Sequence, residues 1–67
     1  MNNHTYVVYP MKGADITIKA NSFRMCREYE INKLEFYNSQ KKDENTIQHQ
    51  IVAIFNVDNI AGFERID

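Results

Sequence analysis

The alternation of apolar and polar residues at the start of the chain predicts two β-strands. Residues 5–9 (TYVVY) are β-branched or aromatic, which is typical of a strand, and a turn follows in which Gly13 can adopt a positive φ. Residues 15–20 (DITIKA) alternate cleanly between apolar and polar side chains, as a half-buried strand does. The residues predicted to share its apolar face are Ile16, Ile18 and Ala20.

The segment 22–38 is compatible with two structures. Its alternation favours a strand over residues 22–27, a turn over 30–32 and a second strand over 33–38. A short helix over residues 22–29, capped by Asn21 or Ser22, is the alternative. We favour the strands because charged residues interrupt the apolar stripe that the helix would need.

The last third of the chain predicts a loop, a long strand and a short closing strand. Residues 39–46 are polar or charged throughout, which favours a long and mobile loop. Residues 47–55 follow as a strand, 56–60 as a tight turn with a single helical twist, and 61–66 as a last strand. We therefore predict one all-β domain over residues 1–67, with five or six antiparallel strands in a small barrel or a compact sandwich.

The predicted strand over residues 51–55 is apolar on both faces, and so is the one over residues 5–9. Such strands must be covered on both sides, but a domain this small has one core. Leaving two aliphatic side chains exposed would forfeit roughly 3–6 kcal/mol of burial free energy. We expect Ala53, Phe55, Ile60 and Phe63 to build the core. The residues predicted to form an interface with a second copy or with another protein are Tyr6, Val7, Tyr9, Val52 and Ile54.

Composition argues against several kinds of chemistry. Cys26 is the only cysteine of the 67 residues, so an intramolecular disulfide is impossible, and a structural zinc site would need about four ligands. His4 and His49 have no neighbouring partner residues that would indicate a catalytic site. We expect no enzyme activity, no catalytic or metal-binding residues and no cofactor. We also expect a cytoplasmic protein with no membrane contact, because no apolar run approaches the ~18 residues of a membrane span.

Charge is distributed unevenly along the chain. Residues 12–27 carry four basic residues against one acidic residue, whereas residues 28–67 carry four basic residues against eight. The basic residues of the first segment could form a patch for nucleic acid: Lys12, Lys19, Arg24 and Arg27. Nucleic-acid binding by a small barrel is therefore the alternative function, although the isoelectric point of 6.1 is low for it.

Two parts of the sequence resemble known groups of small β proteins. The succession IVAIF, NVDNI, AGFERI at residues 51–66 resembles the last part of SH3-like small barrels. The segments ADITIKANSF and LEFYN resemble small all-β proteins encoded by phages and bacterial mobile elements. Several of those proteins are stoichiometric inhibitors of host defence proteins or host enzymes. The resemblance implies a phage-type inhibitor that acts in the host cytoplasm by binding a host protein. The strands that are apolar on both faces predict, in addition, that the chain forms a homodimer.

Overall fold

Residues 3–67 are described by a computed structural model, and they form six β-strands and one 3₁₀ turn. The strands are β1 (His4–Pro10), β2 (Ile16–Ala20), β3 (Ser22–Glu28), β4 (Ile31–Asp43), β5 (Thr46–Asn56) and β6 (Ile60–Arg65). The 3₁₀ turn, Val57–Asn59, lies where a single helical twist was predicted. The all-β prediction is confirmed, and the alternative of a short helix over residues 22–29 is wrong because that segment contains β3.

The strands form two antiparallel sheets of three strands each. The strand order is β2-β1-β6 in one sheet and β3-β4-β5 in the other. Asn21 alone separates β2 from β3, so the chain passes directly from one sheet into the other at this residue. Among residues 3–67, no ladder joins β5 to β6, and the sheets are not closed into a barrel. The architecture is thus two packed layers.

The core lies between the two sheets and is centred on Phe36. This ring is fully buried, and its centroid lies 5.0 Å from that of Tyr6, 6.0 Å from that of Phe55 and 5.9 Å from that of Phe63. The buried apolar residues are Tyr6, Val8, Ala20, Leu34, Phe36 and Ile60, with Ile18, Ala53, Phe55, Val57 and Phe63 partly buried against them. The prediction that Ala53, Phe55, Ile60 and Phe63 contribute to the core is confirmed.

Asn21 holds the junction between the sheets through both its backbone and its side chain. Its backbone N–H donates to the carbonyl oxygen of Tyr37 at 3.1 Å and to Oδ1 of Asn38 at 2.9 Å. Its side-chain Oδ1 accepts from the backbone N–H of Ser39 at 2.7 Å. The residue thereby fixes the start of β3 against the middle of β4.

The predicted loop over residues 39–46 is wrong, because strand structure continues through most of it. β4 runs to Asp43, a two-residue turn follows at positions 44 and 45, and β5 begins at Thr46. The resulting two-stranded arm, residues 40–50, is exposed along its whole length. Polar composition here reflects exposure to water on both faces, while cross-strand pairing satisfies the backbone.

The arm makes the molecule extended for its size. Its Cα radius of gyration is 13.1 Å, whereas a compact chain of this length has roughly 11 Å. Its accessible surface is 5107 Å², against about 4400 Å² for a typical monomer of this mass. The chain therefore exposes about 700 Å² more surface than a compact monomer would.

Candidate protein-binding surface

The register between β4 and β5 places a row of isoleucines on the outer face of the β3-β4-β5 sheet. Leu34 and Phe36 point into the core, so the residues that alternate with them face outward. The outward residues of β4 include Glu35, Tyr37 and Lys41. Their partners on β5 are, in the same order, Ile54, Ile51 and Ile47. We define the β5 stripe as Ile47, Ile51, Val52 and Ile54. These four side chains are between 40% and 57% exposed.

A β-bulge in β5 adds a second exposed apolar residue at the centre of the stripe. Phe36 pairs with Ala53 but Tyr37 pairs with Ile51, so Val52 is an extra residue without a partner on β4. Ile51 and Val52 consequently both remain exposed next to each other. The bulge also interrupts the regular ladder of the strand at this point.

β5 is moreover an edge strand, since β4 is its only neighbour among the strands of residues 3–67. No charged residue occurs between positions 46 and 57, and neither proline nor glycine interrupts the strand. Exposed edges in monomeric proteins are commonly protected by lysine, proline or bulges. Here the bulge at Val52 is the protective feature that β5 has.

An open groove continues the stripe beyond Ile54. The segment that follows β1 lies beside the end of β5, fixed by a hydrogen bond of 2.9 Å from the backbone N–H of Met11 to the carbonyl oxygen of Asn59. We define the loop groove by its exposed apolar walls, Met11, Ile16 and Ile54, together with two charged residues, Lys12 and Asp58. Stripe and groove share Ile54 and therefore form one continuous surface.

The residues predicted to form the interface lie in different parts of the structure. Val52 and Ile54 lie in the β5 stripe, but Tyr6 is only 3% exposed and belongs to the core. Tyr6 therefore cannot contribute its side chain to an outer surface. Val7 and Tyr9 are partly buried in the other sheet. The hydroxyl of Tyr9 donates to Glu64, and this hydrogen bond raises the pKa of Tyr9.

The four residues of the predicted basic patch lie on several elements. Lys12 follows β1, Lys19 is on β2, and Arg24 and Arg27 are on β3. Nε of Arg24 donates to Oε1 of Glu35 at 2.6 Å, and this hydrogen bond raises the pKa of the guanidinium group. The charge of Arg24 is thus already neutralised by a carboxylate of its own sheet.

The tip of the β3–β4 hairpin carries an exposed aromatic residue. Tyr29 is 87% exposed, and it forms a two-residue turn with Glu30. Both residues have positive φ, 51° and 64°, a conformation that asparagine and glycine adopt far more readily. The turn was predicted one residue later because the usual Asn-Gly signal is missing from the sequence.

Metal-binding side chains and the surroundings of His49 are the remaining features of the described residues. No group of three or more His, Cys, Asp or Glu side chains within residues 3–67 could hold a metal ion. His49, on the arm, contacts Ser39 through Nδ1 at 2.8 Å and lies against the ring of Tyr37 at 5.0 Å. In this part of the chain we also find no helix with the length and apolar character that membrane crossing requires.

Comparison with known proteins gave no matching family, no matching curated protein and no matching solved structure. The surface formed by the β5 stripe and the loop groove is consequently the starting point for assigning a function. Its chemistry is that of an apolar contact surface bordered by a few charged groups.

Proposed function

We propose that this chain is a protein–protein interaction module that acts by binding and carries out no reaction of its own. The observation that carries the proposal is the β5 stripe, four exposed aliphatic side chains on one strand, with His49 on the same face between Ile47 and Ile51. Exposed aliphatic residues scattered singly are ordinary, but a group of them on one strand is typical of a contact site.

The free energy available from covering the stripe is large for so small a domain. Complete burial of one aliphatic side chain is worth about 1.5–3 kcal/mol, and each member of the stripe is roughly half buried already. Covering all four would therefore contribute roughly 3–6 kcal/mol. The stability of a whole domain is about 5–15 kcal/mol, so a partner on this surface would matter greatly to the folded state.

The specific form that we propose is a phage-type inhibitor that is homodimeric and binds a bacterial host protein, such as a defence factor, in the host cytoplasm. Two features of the fold support the SH3-like strand plan on which this proposal partly rests. β2 and β3 continue one another through Asn21 and so act as one bent strand shared by both sheets. The 3₁₀ turn Val57–Asn59 then connects β5 to the closing strand β6.

The proposal is tested by affinity capture from bacterial lysate with two charge variants. Ile54→Asp places a carboxylate in the stripe, and Thr17→Asp adds the same charge to an exposed position of the other sheet. Wild type and Thr17→Asp should retain the same bacterial protein in a fixed molar ratio, whereas Ile54→Asp should lose it while keeping a native circular dichroism spectrum.

The opposite results would overturn the proposal in different ways. If the wild type retains no protein above an unrelated bait, the chain does not act by binding a host protein. If Ile54→Asp retains the same protein as the wild type, the β5 stripe is not the binding surface. Titration of the purified target against the chain would then show whether inhibition saturates at a fixed stoichiometry.

A further inference from the structure

We infer that a second copy of this chain covers the β5 stripe, with the arm of each copy lying in the loop groove of the other about a two-fold axis. This inference rests on the proposed function, because it concerns the same surface: the second copy covers the stripe in the free protein, and a host protein that binds there displaces it. It goes further in assigning the arm, residues 40–50, as the element that reaches into the groove. The anchor at the end of each arm is Ile47.

The argument begins with where the arm and the groove lie on β5. Ile47 is on the arm and Ile54 borders the loop groove, so the two features are at opposite ends of one strand. Seven residues of strand separate them by roughly 23 Å. A two-fold axis near Ile51 reverses the strand direction and places each Ile47 over the Ile54 end of the other copy. The contact then forms twice and closes on itself, which gives a dimer and not a filament.

The bulge indicates that the copies meet through side chains and not through a shared ladder. Edge-to-edge pairing needs a regular row of free backbone groups, and the extra residue Val52 disrupts that row in the middle of β5. The same bulge leaves Ile51 and Val52 together on the surface, at the centre of the stripe. The bulge thus weakens backbone pairing along the edge of β5 and favours contact between apolar side chains on the outer face of the sheet.

Charged residues flank both the anchor and the groove. Lys41 is directly opposite Ile47 on the arm, so the two side chains share a face. Lys12 and Asp58 both border the loop groove. In the packing that we infer, Ile47 inserts between the apolar walls of the groove, and the ammonium group of Lys41 pairs with the carboxylate of Asp58.

The excess exposed area of the chain is close to the area that one partner buries in a standard protein–protein interface. An isolated two-stranded ribbon is marginally stable in water, and no other part of the described chain covers the arm. The chain exposes about 700 Å² more than a compact monomer of its mass. A standard protein–protein interface buries about 800 Å² on each partner. Packing the arm and the stripe against a second copy would remove an area of that order.

Light scattering and sedimentation of arm variants test the inference. Ile47→Asp puts a carboxylate on the anchor, and Gln48→Asp adds the same charge one residue later, on the opposite face of the arm, where Gln48 is opposite Gln40. At about 50 μM, wild type and Gln48→Asp should have twice the mass of the 7.9 kDa chain. Ile47→Asp should be a monomer, with a dissociation constant raised at least 100-fold. A monomeric wild type, or an Ile47→Asp variant as dimeric as the wild type, would overturn the inference.

Two further measurements test how the two copies are arranged in the dimer, and neither depends on whether Ile47→Asp folds. Lys41→Glu and Asp58→Lys should each weaken the dimer about tenfold, and the double variant should restore it. In a Cys26→Ser background, mixing Ile47→Cys with Ile54→Cys chains should give a disulfide-linked heterodimer under mild oxidation. This packing would be ruled out if the double charge variant dimerised no more tightly than either single variant and no cross-link formed.

The outcome separates this inference from the proposed function. A monomeric wild type that still captures a bacterial protein through Ile54 would refute the dimer and support binding of a foreign partner. A dimer that captures nothing from lysate would support the present inference and refute the host-protein proposal.

Discussion

The two hairpins that share β4 are stabilised in different ways. The β3–β4 hairpin pairs seven residues of β3 with the first part of β4, and Leu34 and Phe36 of this part are fully buried. Its turn, Tyr29 and Glu30, has an unfavourable backbone conformation. The β4–β5 hairpin extends past the core into the exposed arm, and its turn is held by a hydrogen bond of 2.9 Å from the backbone N–H of Asn45 to Oδ1 of Asp43.

The difference shows that core packing and turn chemistry can substitute for each other in forming a hairpin. Where side chains such as Phe36 bind the strands to the rest of the domain, a turn with two non-glycine residues at positive φ is tolerated. Where the strands leave the core, the turn and cross-strand contacts such as Ser39 to His49 have to hold the ribbon. The arm is accordingly the part of the chain that the core supports least.

The largest expected difference in stability between the two parts of β4 comes from truncating one side chain in each. Phe36 and Gln40 lie on the same face of the strand, one in the core and the other on the arm. Phe36→Ala should lower the free energy of unfolding by about 3–5 kcal/mol because it leaves a cavity. Gln40→Ala should change it by less than about 0.5 kcal/mol. Urea unfolding of both variants measures the difference, and similar losses would show that the arm is energetically part of the core.

The same division explains how far the sequence predicts this fold. Strand β2 follows from alternation, because burial of one face imposes a period of two. Strands β1, β5 and β6 follow from runs of apolar, β-branched and aromatic residues. The arm was predicted as a loop, since a ribbon exposed on both faces carries no apolar alternation. The exposure of Val52 and Ile54 follows from the doubly apolar segment, whereas the burial of Tyr6 depends on which face of β1 meets the core. Periodicity alone does not determine that choice.

An intermediate effect is expected at the strained turn of the β3–β4 hairpin. Replacing Tyr29 with Asn and Glu30 with Gly supplies residues that accept positive φ, so the double variant should be more stable by about 1–2 kcal/mol. Thermal and urea unfolding measure the gain. Tyr29→Ala is the matched control, because it removes the ring but keeps a β-carbon in the unfavourable conformation.

The control should show no gain in stability, since the backbone strain remains. If the Asn-Gly variant is instead less stable than the wild type, contacts of the Tyr29 ring or the Glu30 carboxylate outweigh the strain. If that variant is more stable but captures less bacterial protein, the exposed ring of Tyr29 takes part in binding. The strain would then be retained for recognition, as is found at other functional sites.

The smallest effect is expected at the turn of the arm, as a function of pH. The hydrogen bond from the backbone N–H of Asn45, followed by the one from Thr46, lowers the pKa of Asp43 below its ordinary value of 3.8. A lowered pKa in the folded state means that the stabilisation of the turn is complete above about pH 4 and is lost as the pH falls through the folded pKa. Amide chemical shifts of Asn45 and Thr46 should therefore stay constant from pH 7 to about 4 and change below it.

Asp43→Asn is the matched control, because an asparagine side chain can accept the same hydrogen bond without titrating. Its arm should show no such pH dependence. In an Ile47→Ser variant, which removes the anchor without adding a titratable group, the acid-induced change should spread from the turn along residues 40–50. A change confined to Asn45 and Thr46 in both wild type and Ile47→Ser would show that the arm is held by its own strands, without help from a second copy.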